Sequence, residues 1–271
     1  MSIEVQGLSF GYGETEVLHD VSFHAGDKEV TVIIGSNGAG KTTLLRCILG
    51  LLPWKQGSIT VGGSDIKGWS HRESARIMAY VPQMCAPSFN FTCIDMVMMG
   101  ANNRTSLFAN PGEKEEEFAT ECMDSLGISH LRERLFFDIS GGERQLVLIA
   151  RALMQKTKVL LLDEPVANLD YGNQIRVMEE IGGLAEKGYC VVLTSHNPEQ
   201  TYLYADKVAA FAKGKLLVQG TSQKVITEET IRTLYGVDIS IESILGDRMR
   251  VCVPGHIIKE EVEKCKEKEV F

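Results

Sequence analysis

Apolar and β-branched residues come in short runs along the start of the chain, at 3–10, 16–23, 29–34 and 58–61, with Gly or Asp turns between them. This pattern predicts short strands. Residues 40–49 then carry the spacing of a helix, and 77–81 reads as a further strand that Pro82 stops. From 92 to about 154 the pattern is helical. Within that stretch, 112–127 opens acidic and sets Phe118, Cys122, Met123 and Leu126 on one side. Strands and helices alternate afterwards, at 159–162, 174–186, 189–194, 199–204 and 208–211. Such alternation predicts a parallel sheet covered by helices, with the early strand-rich part as an antiparallel addition. Residues 237–271 predict a small strand in "RMRVCVPG" and a charged surface helix in "KEEVEKCKEKEV". No long internal repeat or low-complexity linker is visible.

Composition narrows the class. The 271 residues are 44% hydrophobic and 24% charged, as in an ordinary globular protein. A net charge of −8 argues against nucleic acid or an anionic membrane surface as the main partner. Apolar runs such as 30–34 and 159–162 fall far short of the ~20 residues that a membrane span needs. The opening "MSIE" has neither a basic nor an apolar segment, so no secretory leader is expected. Seven cysteines are scattered without a CxxC pair, which predicts reduced thiols rather than disulfides or a metal site.

The strongest chemical signal is "GSNGAGKTT" at 35–43, which matches G-x-x-x-x-G-K-[ST]. It follows the apolar run 30–34 and opens a helix, the context that a phosphate-binding loop requires. Gly35, Gly38 and Gly40 let backbone N–H groups converge on phosphate oxygens, and Ser36, Asn37 and Ala39 complete the turn. The helix N-terminus adds its partial positive charge. Lys41 is suited to the β- and γ-phosphates of ATP, and Thr42 to Mg²⁺, with Thr43 beside it.

A second signal is "VLLLDEP" at 159–165, an apolar strand that ends in two carboxylates. Asp163 is expected to hold Mg²⁺. Glu164, pointing to the other side of the strand as neighbours do, is expected to act as general base for an attacking water. The long separation of Lys41 from Asp163 predicts a large insertion between them, at about 86–155.

"ISGGE" at 139–143, shortly before the acidic strand, is similar to the LSGGQ signature of ABC transporter ATP-binding subunits. Other stretches resemble the same family. Tyr12 in "FGYG" resembles the aromatic that stacks on adenine. Gln83 in "YVPQ" resembles the glutamine that contacts Mg²⁺ and the water. Asp170 in "ANLD" resembles the aspartate at the dimer seam, and His196 in "LTSHN" the switch histidine that contacts the γ-phosphate. The resemblance implies that Ser140, Gly141, Gly142 and Glu143 form a second phosphate-binding helix start that completes the ATP site of a second copy, in an isologous dimer. It covers roughly 1–225. Departures are Ile139 for Leu, Glu143 for Gln, Val166 for Thr or Ser, and Leu146 for Arg.

The implied fold is α/β: a P-loop NTPase with a RecA-like mixed sheet core, an N-terminal antiparallel β subdomain and an inserted α-helical subdomain. The expected division is an ATPase domain at 1–236 and an extension at 237–271. "YVPQ…FNFTCIDMVMMG" (80–100) and "NLDYGNQ" (168–174) resemble the iron–siderophore, haem and cobalamin importers. That resemblance implies ATP hydrolysis that energises uptake through membrane permease subunits fed by an extracytoplasmic binding protein, at the cytoplasmic face of the membrane. Phe89, Phe91, Met96, Met98 and Met99 offer apolar, adaptable surface beside Gln83 on which the permease would dock, although at helical spacing they cannot all be exposed and a mixture of surface and core residues is expected. The alternative is a soluble ABC-type ATPase acting on nucleic acid or ribosomes.

Overall fold

The computed structural model describes residues 1–83, 87, 89–103 and 112–257. The chain opens with β1 (Ile3–Tyr12), β2 (Thr15–Ala25), β3 (Val30–Ile34), α1 (Lys41–Ile48), β4 (Gln56–Val61), β5 (Ser64–Asp65), α2 (His71–Ile77) and β6 (Met78–Val81). Three helices follow, α3 (Cys93–Met98), α4 (Glu113–Asp124) and α5 (Gly141–Leu153), before β7 (Val159–Leu162) and α6 (Tyr171–Glu186). The rest runs β8 (Cys190–Ser195), α7 (Pro198–Tyr204), β9 (Lys207–Ala212), β10 (Lys215–Gly220), α8 (Ser222–Val225), α9 (Glu228–Tyr235), β11 (Ile239–Ile244) and β12 (Met249–Pro254).

The strands form a four-stranded sheet in the order β2-β1-β4-β5, a six-stranded sheet in the order β10-β9-β3-β8-β7-β6, and the hairpin β11-β12. The first sheet is antiparallel. In the second, β9, β3, β8, β7 and β6 run parallel and only β10 is reversed. A parallel sheet must be covered on both faces, and β3 and β8 are accordingly buried at every position. Side-chain alternation divides the cover. Ile33, Leu161 and Val192 face Leu44, Leu45 and Ile48 of α1, which the antiparallel sheet closes from outside. Val32, Leu160 and Val191 face the other way, toward Leu146 and Ile149 of α5 and Val177 and Ile181 of α6. Each such side chain contributes about 1.5–3 kcal/mol by leaving water.

Among the described residues the expected helical stretch holds α3, α4 and α5 with short 3-10 turns at 99–103, 129–131 and 136–138, inserted between the parallel neighbours β6 and β7. On α4, Cys122 and Met123 are buried, as is Leu126 just beyond it, and Phe118 is partly so. Phe89 stands exposed, Met96 is buried, and Phe91, Met98 and Met99 are partly covered. β10 was not legible, because its burial pattern is mostly surface with no clean alternation. The single strand expected near the C-terminus is a two-stranded hairpin, whereas the charged helix expected beyond it lies outside the described residues, as do Cys85 and Cys265. Cys47, Cys93, Cys122, Cys190 and Cys252 form no disulfide, and burial pushes the Cys47 and Cys190 thiols up to about 12.

Candidate functional site

Parallel strands in register end together. Ile34 pairs with Ser195 and Ala210, and Val81 with Leu162, so the segments after β3, β6, β7 and β8 emerge along one edge of the sheet. Ligands in open α/β sheets bind at that carboxyl edge. Lys41, Thr42, Gln83, Asp163, Glu164 and His196 all sit on these segments or at the start of α1.

After β3 the chain passes so close to β9 that a Cβ on Gly35 would stand 2.1 Å from the Phe211 carbonyl oxygen. Gly40, at φ +104°, adopts a backbone conformation that L side chains avoid, and it starts α1 without a side-chain cap. The first amides of that helix therefore remain available to an outside acceptor. Lys41 is 5% exposed, and its Nζ donates to the carbonyls of Gly35 (2.8 Å) and Ser36 (3.2 Å). Asn37, Gly38, Ala39, Gly40, Thr42 and Thr43 line one cleft with Val17, Gln83 and Glu164.

Asp163 and Glu164 lie in that same region, which corrects the expectation that Glu164 points to the opposite side of the strand. The alternation ends with β7 at Leu162, and Glu164 takes φ +47°, held by its N–H donating to Thr194 Oγ1 at 2.8 Å. Such strained backbone persists only where its surroundings fix it. Asp163 is buried and accepts hydrogen bonds from Thr42 (3.1 Å), Thr194 (2.7 Å) and Tyr80 (3.3 Å). Burial, with the Asp163 charge next, pushes the Tyr80 phenol up to about 12, so it remains a donor. The Glu164 carboxylate meets Lys41 Nζ at 3.3 Å, Gln83 Nε2 at 3.0 Å and His196 Nδ1 at 3.5 Å. The cleft continues past Glu164 to Ala167, Asn168, Gln174 and His196.

Thr194 and Tyr80 were missed by sequence reasoning. The available signal was a threonine directly after the apolar run "CVVL" and a tyrosine in "MAYV".

The remaining expected residues do not line the cleft that holds Lys41. Tyr12 is 47% exposed and packs edge-on against Phe10, with ring centroids 5.0 Å apart. Ser140 caps α5 in a reciprocal box, taking the Glu143 N–H at 3.3 Å while its own N–H donates to Glu143 at 2.8 Å. Asp170 caps α6 through the Asn173 N–H at 3.0 Å. Gly141 and Gly142 lie against Leu169 and Asn173 of the same chain. Ile139, Leu146 and Val166 are all core residues.

The donor set suits a hard cation held with a phosphate. Thr42 and Asp163 supply two adjacent oxygens, and among the described residues no group of three or more His, Cys, Asp or Glu could hold a metal by itself. Mg²⁺ sites are commonly of this kind, one or two protein oxygens completed by substrate phosphates and water.

Residues 18–167 match the sequence model of the ABC transporter family. The chain belongs to that family. An uncharacterized ABC transporter ATP-binding protein of Haemophilus influenzae is 38% identical over 236 residues, which cover 87% of this chain and 89% of the relative. A Helicobacter pylori protein named as an iron chelatin transport ATP-binding protein is 36% identical over 253 residues, covering 93% and 98%. Among solved structures, a metal-chelate type ABC transporter in an inward-facing conformation aligns with a TM-score of 0.83 at 29% identity, over 94% of this chain and 99% of that one. This ABC protein is thus an ATP-binding subunit whose ATPase activity is coupled to transport. Among its described residues no helix is long and apolar enough to cross a membrane.

Proposed function

We propose that this subunit binds and hydrolyses ATP to drive import of a metal chelate, an iron–siderophore, haem or cobalamin, through a partner permease. The convergence of Lys41, Gln83 and His196 on the Glu164 carboxylate, beside the Thr42–Asp163 pair, carries the catalytic reading. ATP lies with its phosphates along 35–43 and its adenine against Tyr12. The γ-phosphate competes with Glu164 for the Lys41 ammonium, so gripping the substrate frees the carboxylate. Glu164 accepts the proton of the attacking water at a carboxylate oxygen, Gln83 orients that water, and His196 hydrogen-bonds the γ-phosphate. Thr42, Asp163 and Gln83 would hold Mg²⁺, which when bound neutralises charge on the phosphate oxygens.

Ser140, Gly141, Gly142, Glu143 and Asp170 act in trans on the ATP of a second copy, a reading supported by their absence from the lining of the Lys41 cleft of their own chain. Closure of that dimer moves the permease, which docks beside Gln83 at the cytoplasmic face of the membrane. The extracytoplasmic binding protein and the permease select the cargo. The names of the Helicobacter relative and of the metal-chelate transporter structure support a chelate. A soluble ATPase working on nucleic acid or ribosomes fits the −8 charge less well.

The test is tagged Glu164→Gln, loaded with ATP and recovered from detergent-solubilised membranes. The expected result is lost turnover, an ATP-bound dimer and one many-span permease in equal ratio. Recovery of soluble partners alone overturns the importer reading, and a normal hydrolysis rate overturns Glu164 as the base.

A further inference from the structure

The backbone of His196 is tied to a residue 39 positions further along the chain. Its carbonyl accepts a hydrogen bond from the Tyr235 hydroxyl at 3.0 Å. Tyr235 ends α9, and Gly236 stops the helix in the left-handed conformation at φ +71°. Ile231 and Leu234 of the same helix are buried against Ile34, Val208 and Ala210. Ile34, directly before the phosphate loop, belongs to the same cluster, and α9 is seated on β9, the parallel neighbour of the strand that carries that loop. Burial raises the Tyr235 phenol, with the nearby Cys252 and Glu164 adding to the shift, which keeps the hydroxyl a donor.

The helix that follows His196 is held by the same end of the chain. Glu199 of α7 accepts the Cys252 N–H at 3.0 Å, and the Tyr202 hydroxyl donates to the Asp247 carbonyl at 2.8 Å. The Arg250 guanidinium lies 4.8 Å over the Tyr202 ring. By contrast the His196 side chain is 54% exposed and meets Glu164 only at 3.5 Å. Little side-chain packing fixes the imidazole, so its backbone must.

We infer that Tyr235 is a positioning residue for His196: its hydroxyl fixes the His196 carbonyl, and through it the approach of the imidazole to Glu164 and the γ-phosphate. The inference rests on the proposed role of His196. It gives the C-terminal helix a part in hydrolysis rather than in folding alone.

The experiment is a double-mutant cycle on the full-length chain. Tyr235→Phe keeps the ring and removes only the hydroxyl. It is expected to lower kcat about fivefold, the order set by one lost hydrogen bond, with KM for ATP within about twofold of the parent. In a His196→Ala background the same change is expected to have no further effect on kcat, because residues that act through one another are not additive. An undiminished kcat in Tyr235→Phe, beside a defective His196→Ala, overturns the inference alone. So does a fivefold loss that persists in the His196→Ala background. A His196→Ala variant that hydrolyses ATP at the parent rate overturns both the role of His196 and the inference.

Discussion

Gly142 lies directly against Asn173: a Cβ added at Gly142 would stand 2.4 Å from both Cγ and Oδ1 of that side chain. The second glycine of "SGG" therefore has a duty within its own chain, because α6 passes too close to α5 for any larger residue. Asn173 is in turn held by Asp170, whose carboxylate accepts its side-chain amide at 2.6 Å. The start of α5 and the start of α6 thus form one unit.

Gly142→Ala is predicted to cost about 1–3 kcal/mol of stability through overpacking. Asn173→Ala in the same chain should restore only part of that loss: it removes Cγ and Oδ1 but keeps the Cβ, which the added methyl would meet at 2.7 Å, while Asp170 still caps α6 through the backbone N–H of residue 173. Thermal unfolding of the two single variants and the double variant decides it. A double variant no more stable than Gly142→Ala means that the contact is not what excludes a side chain.

Thr194 joins the two acidic residues. Its hydroxyl donates to Asp163 and accepts from the Glu164 N–H, in a site with no exposure. Thr194→Val keeps the shape and removes both bonds, leaving the Glu164 N–H without its acceptor. A loss of about 1–3 kcal/mol is predicted, with a higher Mg²⁺ requirement for hydrolysis. Denaturant unfolding and a magnesium titration of the rate measure the two effects separately, and an unchanged pair of curves rules out a supporting role for Thr194.

Much of this site was legible because its signals are local. "GSNGAGKTT" carries its strand, its turn and its helix within a few residues, and "VLLLDEP" carries its buried strand and its carboxylates together. What stayed hidden depends on contacts between distant segments. The bonds of Thr194 to Asp163 and of Tyr80 to Asp163 span 31 and 83 residues. The orientation of Glu164 was misread because strand alternation was carried one step past the end of β7, into a left-handed residue. The Tyr235–His196 bond spans 39 residues and involves a backbone carbonyl, which no pattern of side chains reports.

Glu143 offers a test by pH. Hydrogen bonds from the Ser140 backbone N–H and hydroxyl hold its carboxyl below the ordinary value of 4.5. A carboxylate lowered in the folded state stabilises the fold above its unfolded pKa, and that contribution is lost as pH falls through the lowered value. Glu143→Gln preserves the capping geometry but cannot titrate. The parent should be the more stable at pH 7, where its charge also suits the helix N-terminus, and the gap should close as pH falls below about 4. Asp247, which Arg250 holds at about 2, titrates alike in both chains and cancels in the difference. Unfolding midpoints measured from pH 7 to below 4 report the gap, and a constant gap shows that the charge of Glu143 contributes nothing.

Tyr12 separates packing from recognition. Its ring is 47% exposed and rests edge-on against Phe10, so one face is available to a planar base. Stacking of a base on an aromatic ring is worth about 1–3 kcal/mol. Tyr12→Ala is therefore predicted to weaken ATP binding by about tenfold, while Tyr12→Phe, which keeps the ring, binds as the parent does. Hydrolysis at saturating ATP should be unchanged in both, because the ring lies outside the Lys41–Glu164 cleft. Equilibrium titration with ATP measures the affinities. A Tyr12→Ala variant that binds ATP as tightly as the parent leaves the ring with no partner but Phe10, and the adenine must then rest elsewhere along the start of β2, where Val17 already lines the phosphate cleft.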